Sequence, residues 1–265
     1  MKNSEIGLKE KIGYGLGDAA SSMFWKLFGM YLLFFYTDIF GLPAAVVGTM
    51  FLITRIWDAV NDPIFGAIAD RTHSRWGKFR PYLLWGALPF GVCGVFLFLT
   101  PDWSPGARTV YAYVTYTLMM MVYSFINVPY ASLLGVMTSD TVQRTQLSSS
   151  RMIFAFVGSI LVLAAVDPLL ALFDRATSGD TALNWTLTVA VFAVIAILLF
   201  PALFLVDPGA GGSHQRVRQQ IVGRPARPVA QQALVDPHRG WYRGPDLQLD
   251  PRRSRNLLLQ VLREP

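Results

Sequence analysis

Residues 44–69 read AAVVGTMFLITRIWDAVNDPIFGAIA, a mostly apolar stretch that nevertheless contains Arg55, Asp58 and Asp62. A helix needs about 20 predominantly apolar residues to cross the hydrocarbon core of a bilayer, and this stretch is long enough. The GLP sequence at residues 41–43 precedes it, and Gly and Pro commonly break helices. The sequence therefore predicts a membrane-spanning helix with charged residues in its interior.

Five further stretches have the same length and apolar character. The six predicted spans are Ile12–Tyr36, Ala44–Ala69, Tyr82–Leu99, Val110–Met137, Met152–Leu172 and Leu183–Val206. Hydrophobic residues make up 53% of the 265-residue chain and charged residues only 15%, which excludes a soluble enzyme. With short connections between the spans, the predicted fold is an all-α membrane protein built as a six-transmembrane-helix bundle.

The distribution of Lys and Arg predicts the orientation of this bundle, because positive residues are retained in the cytoplasm. The first, third and fifth loops hold only Arg108 and Arg175, whereas the segment before the first span has three lysines. The loop after the second span is also basic, with Arg71, Arg75, Lys78 and Arg80. We therefore expect a multi-pass protein of a bacterial-type inner membrane. Its domains are a cytoplasmic N-terminus (1–11), the six-helix unit (12–206) and a cytoplasmic tail (207–265).

Asp58 and Asp62 form a carboxylate pair inside the second span. They are four residues apart, so both project from one helix face about one turn apart. Ionisable groups at this depth are costly and usually functional. Two such carboxylates favour a site for a monovalent cation or a proton, and Pro63 can free backbone carbonyls as further ligands. A structural ion pair with Arg55 or Lys26 is the alternative.

Other polar residues lie inside the predicted spans. Lys26, in the middle of the first span, could pair with Asp58 or Asp62, meet an anionic substrate, or extend its long side chain to the interface. Asp18, Asn127 and Arg151 add polar groups to the first, fourth and fifth spans. Four spans thus direct polar side chains into the bundle, as expected around a hydrophilic substrate path.

Several blocks of sequence carry a family resemblance. They are Tyr14-Gly-Leu-Gly-Asp18, YLLFFYTDIFGL (31–42), RIWDAVNDPIFGAIADRTHSRWGKFRPYLLWG (55–86), INVPYASL (126–133) and RTQLSSSR (144–151). From residue 8 to about 207 the chain resembles the glycoside–pentoside–hexuronide:cation symporters of the major facilitator superfamily, whose best-known member is the melibiose carrier. The resemblance implies twelve helices in two six-helix halves, of which this chain holds the first.

The resemblance also implies roles for individual residues. Asp58 and Asp62 match the carboxylates that bind Na⁺, Li⁺ or H⁺, and Arg151 matches an arginine implicated in sugar binding. Asn127 and Ser22 stand where the melibiose carrier has sugar-linked aspartates, so a galactoside substrate is in doubt. The substrate-binding set predicted from spacing and resemblance together is Asp18, Ser22, Lys26, Asn127 and Arg151. The charges from Asp70 to Arg80 resemble a cytoplasmic gating loop, comprising Asp70, Arg71, Arg75, Lys78 and Arg80.

The composition changes abruptly after Asp207. All ten basic residues beyond it are Arg, among many Pro and Gln residues, which is typical either of a basic disordered arm or of a shifted reading frame. Back-translation of residues 222–241 and 256–263, read one base later, permits strings that resemble the family's central loop and eighth span. We hypothesise a frameshift near residues 207–220, so His214 and His238 are not expected to bind metal.

The sequence therefore predicts half of a secondary active transporter for sugar or glycoside with a cation. Its predicted partners are the small-molecule sugar, the lipid bilayer and a separately encoded second half, with no nucleic acid. We expect no enzymatic activity, no cofactor and no metal beyond Na⁺ at Asp58 and Asp62. The rival interpretation is a non-transporting six-helix fragment or accessory subunit, and a channel or lipid carrier is disfavoured by the polar spans.

Overall fold

The computed structural model describes residues 6–74, 78–138 and 140–206, with the backbone alone of Val136 and of residues 202–206. This part of the chain is helical and contains no β-strand. Its helices are α1 (Leu8–Leu27), α2 (Ala44–Arg71), α3 (Arg80–Leu97), α4 (Pro105–Met137), α5 (Thr141–Ala176) and α6 (Thr181–Val206). The predicted tail and Arg75 lie outside the described residues.

The first predicted span is not a uniform α-helix. Beyond α1 the chain continues as two π-helical segments, Phe28–Leu32 and Phe35–Ile39. Aromatic side chains fill the interior at this end, where the rings of Phe35 and Phe98 are 4.8 Å apart. Trp185 of α6 stacks nearly parallel to Phe98 at 6.2 Å. These contacts tie the end of the first span to α3 and α6.

The helices extend beyond several of the predicted spans. The α5 helix begins at Thr141, well before the predicted start at Met152, because its polar first turns are stabilised by capping. The Asp140 carboxylate accepts hydrogen bonds from the backbone N–H groups of Val142 and Gln143, at 2.8 and 3.0 Å. Hydropathy marks only the lipid-facing length of a helix, so it misses such polar extensions.

Four helical stretches are long and apolar enough to cross a membrane by length and composition. They are Arg80–Leu97, Pro105–Gly135, Thr141–Ala176 and Thr181–Pro201. The first two predicted spans are absent from this set, and both helices carry several charged residues: Lys9, Glu10, Lys11, Asp18 and Lys26 in α1, and Arg55, Asp58 and Asp62 among those in α2. These two helices carry the polar residues on which a functional site depends.

Close helix packing positions these polar residues. The α1 helix packs most extensively against α5 and also against α6, while α4 packs against α2 and α3. Small residues allow this approach: a Cβ atom at Gly158 of α5 would lie 2.6 Å from the carbonyl oxygen of Ala19 in α1. A Cβ atom at Gly15 would likewise lie 2.2 Å from the Phe154 ring. The backbones of α1 and α5 are therefore in direct contact beside Asp18.

Candidate functional site

An ion pair joins α1 to α5. The Nε atom of Arg151 lies 3.0 Å from Oδ1 of Asp18, although 133 residues separate the two in the chain. The Asp18 side chain is mostly buried, and that of Arg151 is about one-third exposed. Charged groups in such a setting are stable when they are paired and hydrogen-bonded. Two residues predicted for the substrate path therefore form a single unit.

Two stacked tyrosines support this ion pair. The Arg151 guanidinium lies 5.0 Å from the ring centroid of Tyr130, a cation–π distance. The Tyr130 ring stacks on that of Tyr14 at 4.8 Å, and its hydroxyl donates a hydrogen bond of 2.5 Å to the Tyr14 carbonyl. Gly17 leaves room for the Tyr130 ring, since a Cβ atom there would lie 2.9 Å from it. The unit thus connects α1, α4 and α5.

The carboxylate pair lies on α2. Asp58 is half-buried and Asp62 is exposed. The Oδ1 atom of Asp58 is buried and has no hydrogen-bond partner among the residues that the structure describes, and the same holds for Nδ2 of the neighbouring Asn61. A buried carboxylate oxygen without a partner is costly. This oxygen is therefore suited to bind a cation or to carry a proton.

Additional oxygen ligands are available beside this pair. Pro63 lies inside α2 and cannot donate a backbone hydrogen bond, which frees the carbonyl of Ala59 one turn earlier. Within the described ranges, no group of three or more His, Cys, Asp or Glu side chains could hold a metal ion. A monovalent cation at Asp58 and Asp62 would therefore complete its shell with neutral oxygens.

The alternative of a structural ion pair is wrong for this structure. Arg55 forms no ion pair with Asp58 or Asp62, and its guanidinium instead lies 4.8 Å from the ring centroid of Trp25 in α1. Lys26 is half-buried and makes no ion pair with another described residue. Pairing with the carboxylates, one of the three alternatives for Lys26, is therefore absent among the described residues. Both carboxylates remain available to a ligand.

Tyr123 of α4 lies beside Trp25 of α1, whose ring also contacts the Arg55 guanidinium of α2. Its ring lies 5.5 Å from that of Trp25. The Asn127 side chain, one turn further along α4, donates a hydrogen bond of 3.1 Å to the Tyr123 carbonyl. Trp25 of α1 and Arg55 of α2 thus lie beside the part of α4 that holds Tyr123 and Asn127.

The remaining predicted residues occupy different places. Ser22 is half-buried on α1, one turn after Asp18, and makes no side-chain hydrogen bond to a described residue. In the predicted gating loop, Asp70 and Arg71 are exposed at the end of α2. Lys78 is half-buried, and Arg80 is buried at the start of α3.

Sequence reasoning missed the aromatic members of this site. Trp25, Tyr123 and Tyr130 resemble ordinary packing residues of apolar helices when read from sequence alone. A signal was present in their spacing, since Tyr123, Asn127 and Tyr130 are four and three residues apart and so share one helix face. Trp25 likewise lies seven residues after Asp18, on the same face of α1.

Comparison with known proteins places the chain in a family. Residues 13–208 match the family described as MFS/sugar transport protein. The chain belongs to this MFS/sugar transport family. The inner membrane symporter YicJ of Escherichia coli is 46% identical over 205 residues, which cover 77% of this chain and 44% of YicJ. This MFS/sugar transport chain is therefore a multi-pass membrane protein of the α-helical class.

Two further relatives have names that specify the kind of transporter. The putative glycoside/cation symporter YagG of Escherichia coli is 42% identical over 76% of this chain and 43% of its own length. The isoprimeverose transporter of Lactiplantibacillus pentosus is 42% identical over 74% of this chain and 40% of its own length. The resemblance to the glycoside–pentoside–hexuronide:cation symporters is confirmed. The MFS/sugar transport chain spans about two-fifths of the length of these relatives.

Proposed function

We propose that this chain forms one wall of a sugar:cation symport path, in which a glycoside and a monovalent cation bind to the polar faces of α1, α2, α4 and α5. The ion pair between Asp18 and Arg151, which joins otherwise apolar helices, is the observation that carries this proposal. Ionisable residues within a membrane bundle commonly line substrate and ion pathways. The relatives named as a glycoside/cation symporter and an isoprimeverose transporter support a sugar substrate.

The sugar is assigned to the unit of Asp18 and Arg151. Its hydroxyls would bond to the carboxylate and to the exposed part of the guanidinium, and Asn127 and Ser22 would contribute from the same side. Paired charges present donors and acceptors in fixed positions, which is what a polyhydroxyl ligand requires. The half-buried Lys26 extends the predicted substrate set and favours acidic sugars such as uronides.

The coupling ion is assigned to Asp58 and Asp62, and we propose Na⁺, Li⁺ or H⁺. Its binding would neutralise one or both carboxylates of α2 and so favour sugar binding, and linkage makes this effect reciprocal. Rocking of this wall against an opposite one would give alternating access. A separately encoded second half could supply that opposite wall.

We further propose that the protein lies in the bacterial inner membrane with a cytoplasmic N-terminus, as the Lys and Arg distribution predicts. The charges from Asp70 to Arg80 would then lie on the cytoplasmic side, where they could regulate opening. This function requires no covalent chemistry, so we assign the chain no enzymatic activity.

The test is sugar binding by the purified full chain in detergent micelles, measured by isothermal titration calorimetry. The probes are methyl β-D-xyloside, methyl β-D-galactoside and methyl β-D-glucuronide, which represent a pentoside, a hexoside and a hexuronide. We expect at least one probe to bind and Arg151→Ala to abolish its binding. The matched control is Arg108→Ala, because Arg108 pairs with the exposed Asp102 in a loop. Equal binding by both variants, or none by the wild type, would contradict the proposal.

A further inference from the structure

Trp25 differs from the other exposed tryptophans in its surroundings. Its side chain is 43% exposed, although the adjacent Phe24 is fully buried. Arg55 lies over its ring at 4.8 Å and Tyr123 lies 5.5 Å away. Trp85 on α3 is 70% exposed and makes no ring or cation contact with another described residue, as expected of a lipid-facing side chain. An arginine on the ring indicates that Trp25 faces a polar space instead.

The position of Trp25 on α1 places it next to the proposed sugar site. It follows Asp18 by seven residues, which is about two helical turns or 10 Å along the same face. Its ring neighbour Tyr123 lies seven residues before Tyr130 on the same face of α4, and the Arg151 guanidinium lies 5.0 Å from the Tyr130 ring. Trp25 and the ion pair between Asp18 and Arg151 therefore lie along the same faces of α1 and α4.

A sugar presents hydroxyl groups at its edges and C–H groups on its faces. Binding sites for such ligands combine a few placed polar groups with aromatic walls. Aromatic rings supply large contact areas and accept positively polarised hydrogens on their faces. The charged side chains of this site can bond only to the sugar hydroxyls. The C–H face of the sugar requires a different, apolar contact.

We propose that Trp25 is a substrate-contacting residue, against whose exposed ring the C–H face of the sugar packs while the sugar hydroxyls bond to Asp18 and Arg151. This inference rests on the proposed function, and it adds a residue that determines affinity for the sugar ring. Trp25 is 43% exposed although Arg55 lies over its ring, and the sugar would take this exposed surface.

The experiment compares three variants of the full chain in the same calorimetric titration with the three methyl glycosides. Trp25→Leu keeps an apolar side chain but removes the ring face, and we expect about tenfold weaker binding. Trp25→Phe restores a ring and should keep affinity within about threefold of the wild type. Trp85→Leu is the matched control and should bind as the wild type does.

A second measurement covers the case in which Trp25→Leu does not fold. Saturation-transfer NMR on the wild type would irradiate the aromatic protons of the protein. Magnetisation should pass more strongly to the C–H protons on one face of the sugar than to its other protons. Equal transfer to all sugar protons, or wild-type affinity in a folded Trp25→Leu variant, would overturn the role of Trp25 but not the proposed function. A wild type that binds none of the probes contradicts the proposed function, and this inference falls with it.

Discussion

Substitution of Gly158 by Ala tests the contact that holds α1 against α5. The added Cβ atom would lie 2.6 Å from the Ala19 carbonyl oxygen and 3.1 Å from the Ala19 Cα atom. Ordinary contact begins at 3.4 Å, so the two backbones must separate by about 0.8 Å, which is 3.4 minus 2.6. The Ala19 atoms in contact belong to the backbone, so they cannot rotate away as a flexible side chain can.

The expected cost follows from a matched substitution. Gly48→Ala on α2 introduces the same methyl group where nothing lies within 4 Å. Both substitutions gain the same helix propensity, about 1 kcal/mol. The difference between the two variants in free energy of unfolding therefore isolates the effect of the steric contact. Overpacking typically costs about 1–3 kcal/mol. We therefore expect Gly158→Ala to unfold at a temperature about 2–10 °C below that of Gly48→Ala.

The chain provides its own reporter for this measurement. Cys93 is the single cysteine and is buried, so a thiol-reactive fluorophore labels it only as the protein unfolds in detergent. Melting curves of the two variants can thus be recorded without another label. Equal melting temperatures for Gly158→Ala and Gly48→Ala would refute the close α1–α5 contact and, with it, the placement of Asp18 beside Arg151.

Two further predictions use the same melting assay. A double-mutant cycle of Asp18→Asn and Arg151→Gln should give a coupling free energy of about 0.5–3 kcal/mol, whereas additive effects would show that the ion pair does not form. Tyr130→Phe removes the hydrogen bond to the Tyr14 carbonyl and should lower the free energy of unfolding by about 0.5–1.5 kcal/mol, and an unchanged value would show that this bond is absent in solution.

The sequence was sufficient to predict the helical membrane fold and the carboxylate pair, because both depend on local spacing. Long apolar stretches mark helices, and a separation of four residues places Asp58 and Asp62 on one face. The ion pair between Asp18 and Arg151 could not be predicted, since it depends on how two distant helices pack.

Other features of the site were inaccessible for different physical reasons. Aromatic residues such as Trp25 and Tyr130 serve packing and binding equally well, and only their contacts with arginine side chains separate the two roles. The sequence left three alternatives open for Lys26, because helical spacing fixes which face a side chain shares but not which neighbouring helix lies opposite. The polar start of α5 was missed because capping, not hydropathy, determines where that helix begins.

The most direct test of the account is the dependence of sugar affinity on the coupling ion. The dissociation constant of a bound methyl glycoside would be measured for the full chain in NaCl, LiCl and choline chloride, and in choline chloride between pH 5 and 8. We expect Na⁺, Li⁺ or lower pH to tighten binding, Asp58→Asn to remove this dependence, and the loop control Asp102→Asn to retain it. A sugar affinity that is independent of all three ions, or an ion dependence that survives in Asp58→Asn, would contradict the assignment of the coupling site.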